Sequence, residues 1–137
     1  MKPPAGALAL AVAGLLPFIA GALAARGAVS HPLFLLGYAS GPALLLAYGK
    51  VILSFMGGAL WGFAAREGVV PLVISVLPAL WAVLLVGDNL YLLALGFALL
   101  LVADFRFTAQ GLAPGWWMSL RIPITAVAVI SLLLGAV

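Results

Sequence analysis

Long apolar blocks divide this chain, and few polar residues interrupt them. Five such blocks occupy positions 5–24, 42–63, 69–86, 90–105 and 116–136. Each is close to the ~20 residues that a helix needs to cross a hydrocarbon core of roughly 30 Å. The blocks do not alternate apolar and polar residues as barrel strands do, and backbone in lipid must satisfy its own hydrogen bonds, so they predict helices. We therefore predict an all-α integral membrane protein, a single domain over residues 1–137 that forms a bundle of five transmembrane helices.

The composition supports a membrane environment. Hydrophobic residues make up 67% of the 137 positions and charged residues only 7%, which is too few to cover a water-facing surface. The chain has no cysteine, which excludes disulfides and thiolate metal sites. Its six Lys and Arg residues are scattered and form no stripe that could follow a phosphate backbone. We expect the lipid bilayer as a partner and no nucleic acid.

Two segments between and within the blocks are irregular. Leu33 to Ala39 is too short to span the membrane, and we expect it to be an interfacial or buried lead-in to the second helix.

The first block could also be a secretory signal, but its length and Pro17 favour an uncleaved span. Pro17, Pro78 and Pro123 lie deep in their blocks, so we expect kinks there that shape the helices.

The basic residues indicate an orientation. With five crossings, Lys2, Arg66, Arg106 and Arg121 fall on one face, and the other face has Arg26 alone. Because Lys and Arg are retained on the cytoplasmic side, the amino terminus is predicted inside and the carboxyl terminus outside.

The second block contains a stripe of small residues. Ser54, Gly58 and Gly62 recur every four residues, and Gly57 widens the same face of a helix. Another helix can approach such a face closely, so we predict a packing contact inside the bundle. The alternatives are a homodimer seam or a ligand slot.

Two pairs of charges are candidates for contacts within the membrane. Lys50 lies one turn along the small-residue stripe, and Asp88 is the carboxylate on its side, so we predict a direct or water-mediated contact. The alternative is a lysine that only snorkels to the surface. Asp104 and Arg121 would otherwise face hydrocarbon, so we predict that they pair and clamp the last two helices. A second interpretation builds an anion or headgroup site from Arg121, Arg106 and Trp117.

The chain lacks the residues of familiar active sites. Its one histidine, His31, has no second histidine for a haem and too few acidic neighbours for a zinc cage, so we expect an interfacial loop residue. No nucleophile elbow, Walker loop or dinucleotide fingerprint occurs. The sequence therefore predicts no catalytic residues, no metal and no cofactor.

Several motifs together resemble a known family. The stretch YGKVILSFMGGALWG (48–62), Asp104, and the segment from Pro114 to Thr125 with its W-x-x-L-R-x-x-x-T pattern are similar to the transmembrane protein 69-like family (DUF3429). Gly14 and Pro17 are similar to its first helix, so the resemblance covers nearly the whole chain. It implies a small multi-pass protein of the bacterial inner (plasma) membrane with no established activity.

Two functions are consistent with these observations. The first is a non-catalytic inner-membrane protein that acts as an accessory, structural or assembly component through helix contacts with itself or a larger membrane complex. The second is a binding or transport module with a cavity for a lipid, quinone or small solute near Trp61, Asp104 and Arg121.

Overall fold

The computed structural model describes residues 2–29 and 35–137, and over these ranges the chain is helical. The helices are α1 (Ala5–Ala25), α2 (Gly41–Ala64), α3 (Val69–Leu80), which continues into a π-helical segment (Trp81–Leu85), α4 (Leu90–Ala109) and α5 (Trp117–Ala136). Helices α1, α2, α4 and α5 are long and apolar enough to cross a membrane, whereas Val69–Leu85 is a shorter apolar helix. The all-α prediction is confirmed for the described ranges, where four of the five predicted spans meet this criterion.

Polar caps set the beginnings of two helices. The Ser40 hydroxyl accepts a hydrogen bond from the Ala43 N–H at 3.2 Å at the start of α2. The Asn89 side chain accepts from the N–H groups of Tyr91 (2.9 Å) and Leu92 (3.2 Å) at the start of α4. Both caps satisfy donors that the first turn of a helix leaves unpaired.

Helix α4 is longer than the sequence indicates. The apolar block ends near Phe105, but the helix ends at Ala109. The charges in its final turns do not stop it, because Asp104 is buried and paired while Arg106 lies on the exposed surface of the last turn. A cation in the last turn is also favourable for the helix dipole.

The helices pack in an alternating up-and-down arrangement that gives the bundle two ends. Phe63 near the end of α2 contacts Trp117 at the start of α5. At the other end, Arg26 donates to the Val137 carbonyl at 3.3 Å. We call the end that holds Lys2, Arg66, Arg106 and the loop between α4 and α5 the basic end. Helix α3 and the π segment carry the chain from the basic end to the opposite one.

Glycines allow the close helix contacts of this core. A side chain at Gly41 would meet the backbone of Gly21 and Ala25, and one at Gly49 would meet Leu93. The core between the helices is apolar, and its largest fully buried side chains include Phe18, Leu45, Leu53, Leu60, Leu93, Phe97, Leu100, Phe107 and Leu132. Small residues at helix contacts are how bundles gain van der Waals packing in lipid.

Prolines interrupt the hydrogen bonding inside three helices. In α1, Pro17 removes the donor for the Ala13 carbonyl, and the neighbouring Gly14 carbonyl accepts from the Tyr48 hydroxyl of α2 at 2.7 Å. After Pro78, the helix widens into the π segment, which ends with a bond from the Val86 N–H to the Trp81 carbonyl at 3.2 Å. The expected kinks stay a prediction, as does the loop role of His31, which lies outside the described residues.

Candidate functional site: a buried ion pair

A salt bridge joins α4 to α5 inside the bundle. Asp104 is 0% exposed and Arg121 is 4% exposed. The Arg121 Nε–H donates to one carboxylate oxygen of Asp104 at 2.9 Å, and the Trp117 indole N–H donates to the other at 2.8 Å. The carboxylate therefore receives one charged and one neutral donor from successive turns of α5, which is how a buried charge is stabilised in a low-dielectric medium.

Aromatic side chains shield this pair. The Trp117 ring lies edge-to-face with Phe63 of α2, with 4.9 Å between ring centroids. The Arg121 guanidinium carbon lies 5.9 Å from the Trp117 ring centroid. Trp117 thus hydrogen-bonds the acid and also contacts the base of the pair, and these contacts together fix the indole in one position.

Some buried polar atoms of α4 and α5 have no hydrogen-bond partner among residues 2–29 and 35–137. They are Nη2 of Arg121, Oγ1 of Thr125 and Oγ1 of Thr108. Thr125 lies one turn beyond Arg121 on α5, and Thr108 lies one turn beyond Asp104 on α4. The polar centre therefore extends along both helices beyond the salt bridge.

The structure brings together the predicted Asp104–Arg121 pair. Sequence reasoning did not anticipate that Trp117 donates to Asp104. The signal was present, because Trp117 and Arg121 are four residues apart and so lie on one face of α5. Arg106, which the anion-site interpretation added to Arg121 and Trp117, is exposed at the helix surface and does not join them.

The structure does not bring Lys50 and Asp88 into a direct ion pair, and the water-mediated contact stays a prediction. Asp88 is exposed in the turn before α4, and no ion pair involves either residue within residues 2–29 and 35–137. The physical reason is helix rotation: Gly49 faces Leu93 and Leu132 in the bundle, and Lys50 lies about 100° further around α2.

The small-residue stripe shows the same rotation. Gly57 is buried, and a Cβ there would lie 2.8 Å from the Ser75 carbonyl oxygen of α3. Gly58 and Gly62 are exposed, and a Cβ at either would meet no atom of the described residues within 4 Å. Ser54 is only partly buried and donates to the Lys50 carbonyl. The predicted contact inside the bundle is therefore right for Gly57 and wrong for Gly58 and Gly62.

Trp61 differs from the ion pair in its exposure. It is 49% exposed on α2, whereas Asp104 and Arg121 are buried against each other. The cavity that the binding-module interpretation placed near these three residues stays a prediction.

Apolar helices of membrane-crossing length, packed around a buried ion pair, define a multi-pass helical membrane protein. The chain belongs to the family described as "Protein of unknown function (DUF3429)", whose model it matches over residues 3–137. The resemblance inferred from the sequence motifs is thus confirmed.

One curated relative shows the same relationship. The chain is 35% identical over 143 residues to Transmembrane protein 69 of Xenopus tropicalis, in an alignment that covers 94% of this chain and 53% of that protein. The chain therefore spans about half the length of that relative. No solved structure matches the chain.

Proposed function

We propose that this protein is a non-catalytic membrane component that acts by packing α2 against a second copy of itself or against another membrane protein. The observation that carries the proposal is the open face of α2. Val51, Phe55, Gly58 and Gly62 follow each other at helical spacing and are all exposed. We call these four residues the open face.

The open face has the chemistry of a helix–helix contact. Val51 and Phe55 are 64% and 69% exposed, and the two glycines beside them leave the backbone accessible. Lipid-facing helices associate through van der Waals contact and small residues, since the hydrophobic effect gives no preference for protein over lipid tails. A partner helix would therefore rest its backbone on Gly58 and Gly62 and its side chains on Phe55.

The proposal includes five crossings in the bacterial inner (plasma) membrane, with the amino terminus inside. The basic end holds Lys2, Arg66 and Arg106, whereas Arg26 is the basic residue at the other end, and this asymmetry supports a cytoplasmic basic end. With the π segment, α3 extends over about 25 Å, which is sufficient to cross a locally thinned bilayer.

Single-cysteine cross-linking tests the proposed contact, because the chain has no cysteine of its own. We expect Gly58→Cys and Gly62→Cys to cross-link in native membranes, either to a second copy or to one partner in fixed ratio. Leu84→Cys, which is exposed on the π segment, is the matched control and should not cross-link. Equal cross-linking from all three positions, or none from positions 58 and 62, would show that the open face is not an interface.

A further inference from the structure

An apolar groove separates α4 from α3 and its π segment. Its volume is about 520 Å³, within the range of roughly 300–1,000 Å³ that is typical of small-molecule sites. Its walls include Leu77, Trp81 and Leu84 on one side and Gly96, Leu99 and Ala103 on the other, with Arg106 at one end. We call it the α3–α4 groove.

The shape of the groove follows from three local features. Pro78 ends the regular hydrogen bonding of α3, and the wider π segment begins three residues later. The Trp81 indole N–H donates to the Leu92 carbonyl at 2.8 Å, which holds the ring against α4. Gly96 makes room for it, because a side chain there would lie 2.7 Å from the indole. π segments occur frequently at functional sites.

The length of the groove matches one leaflet of a membrane. On α4 it extends from Gly96 to Arg106, which is about 15 Å at the helical rise. This is half of a hydrocarbon core of roughly 30 Å. A single acyl chain that entered from one leaflet would therefore fill the groove from the surface to the bilayer midplane.

The charge at the end of the groove indicates the headgroup. Arg106 is exposed in the last turn of α4, at the basic end of the bundle. It forms no salt bridge with any carboxylate of the described chain. An unpaired arginine at the membrane surface attracts anionic lipid, and its guanidinium can donate to phosphate oxygens.

We infer that the α3–α4 groove binds one acyl chain of an anionic phospholipid whose phosphate contacts Arg106. This site differs from the open face of α2 in both position and chemistry. The groove selects the lipid by charge at one end and holds it by apolar contact along the π segment.

Native mass spectrometry of the delipidated, full-length protein tests this inference. The probes are dioleoylphosphatidylglycerol and dioleoylphosphatidylcholine, which share acyl chains and differ in headgroup charge. We expect one molecule of the anionic lipid to bind at least tenfold more tightly than the zwitterionic one. Equal affinity of the two lipids would overturn the inference.

Two variants with matched controls locate the site. Arg106→Gln should weaken phosphatidylglycerol binding about tenfold, because it removes a hydrogen bond between charged groups, whereas Arg66→Gln at the same end should not. Leu99→Trp should obstruct the groove and weaken the binding of both lipids. Leu95→Trp, at a similarly exposed position outside the groove (45% against 48%), should not.

Circular dichroism and thermal melting in the same detergent identify any variant that fails to fold. If Leu99→Trp is misfolded, Ala103→Leu replaces it as the variant that narrows the groove. Equal losses in each variant and its control would overturn the inference. Tighter binding of a neutral prenyl quinone than of phosphatidylglycerol would also overturn it.

Discussion

The carboxylate of Asp104 lies in apolar surroundings and depends on two donors from α5. Removing one member of a buried ion pair leaves an uncompensated charge, which commonly costs about 3–5 kcal/mol. Replacing both members by apolar residues of similar size is often neutral. The stability of the bundle is therefore expected to fall when either Asp104 or Arg121 is replaced alone.

We expect Asp104→Asn to lower the free energy of unfolding by about 3 kcal/mol, because Arg121 then remains charged and buried. The double substitution Asp104→Leu with Arg121→Met should recover most of this loss. Trp117→Phe is the comparison, with a loss of about 2 kcal/mol for one hydrogen bond to a charged group. Unfolding by a denaturing detergent, followed by circular dichroism, measures all three. A double variant that is no more stable than Asp104→Asn would contradict a direct contribution of the pair.

The sequence was sufficient to predict this pair but not the hydrogen bonds from side chains to backbone elsewhere in the bundle. Two charges in adjacent apolar helices have few ways to be neutralised, so Asp104 and Arg121 could be matched without a structure. Hydrogen bonds from a side chain to backbone, such as Tyr48 to Gly14 and Trp81 to Leu92, leave no such signal. They depend on which carbonyl lies opposite the donor, and that is decided by packing.

At the scale of single helices, the positions of the helices could be predicted from the sequence, and the rotation of α2 could not. A soluble helix shows its buried side by its apolar stripe. Helix α2 has apolar residues on every side, because the faces that do not contact protein contact lipid. Hydrophobicity therefore does not distinguish the buried Gly57 from the exposed Gly58. The buried face is Leu45, Gly49, Leu53, Gly57, Leu60 and Ala64, adjacent to the predicted stripe.

Two neighbouring glycines test this rotation. Gly57→Leu should lower the melting temperature, because its side chain would collide with the Ser75 carbonyl and with Pro78. Gly58→Leu should leave the melting temperature of the isolated chain nearly unchanged, since the space beside Gly58 is open. A thermal melt of both purified variants makes the comparison. The opposite order would place the Gly58 side of α2 in the core.

The cap of α4 gives a second test at this scale. Asn89→Ala should destabilise the protein by about 1 kcal/mol, because the N–H groups of Tyr91 and Leu92 lose their acceptor. Asn89→Asp should retain most of the stability, and Asp88→Ala, an exposed neighbour, serves as the control. The free energy of unfolding in detergent is the measurement. Equal effects of Asn89→Ala and Asp88→Ala would exclude a specific capping role.

For the whole molecule, the distribution of charge between its two ends indicates how the bundle is oriented in a membrane. The turns at the basic end contain Arg66 and Glu67, and the loop there contains Gln110. The opposite end contains Arg26 and Asp88. Apolar blocks predict how many helices exist. Whether the short Val69–Leu85 helix crosses the membrane depends on the bilayer thickness and on the neighbouring helices, and the residues of that helix determine neither.

Cysteine labelling in oriented vesicles tests this arrangement. We expect Glu67→Cys and Gln110→Cys to react with an impermeant maleimide only from the cytoplasmic side, and Asp88→Cys only from the other side. The parent chain has no cysteine and provides the unlabelled control. Labelling of positions 67 and 88 from the same side would mean that α3 does not cross. Reversed labelling of all three would overturn the orientation.

The buried salt bridge also constrains how the protein is made. Helix α4 leaves the ribosome before α5, and a charged residue near its end is costly in lipid until its counter-ion arrives. This counter-ion, Arg121, is present only after α5 has been synthesised. The last two helices are therefore expected to leave the translocon together as a hairpin.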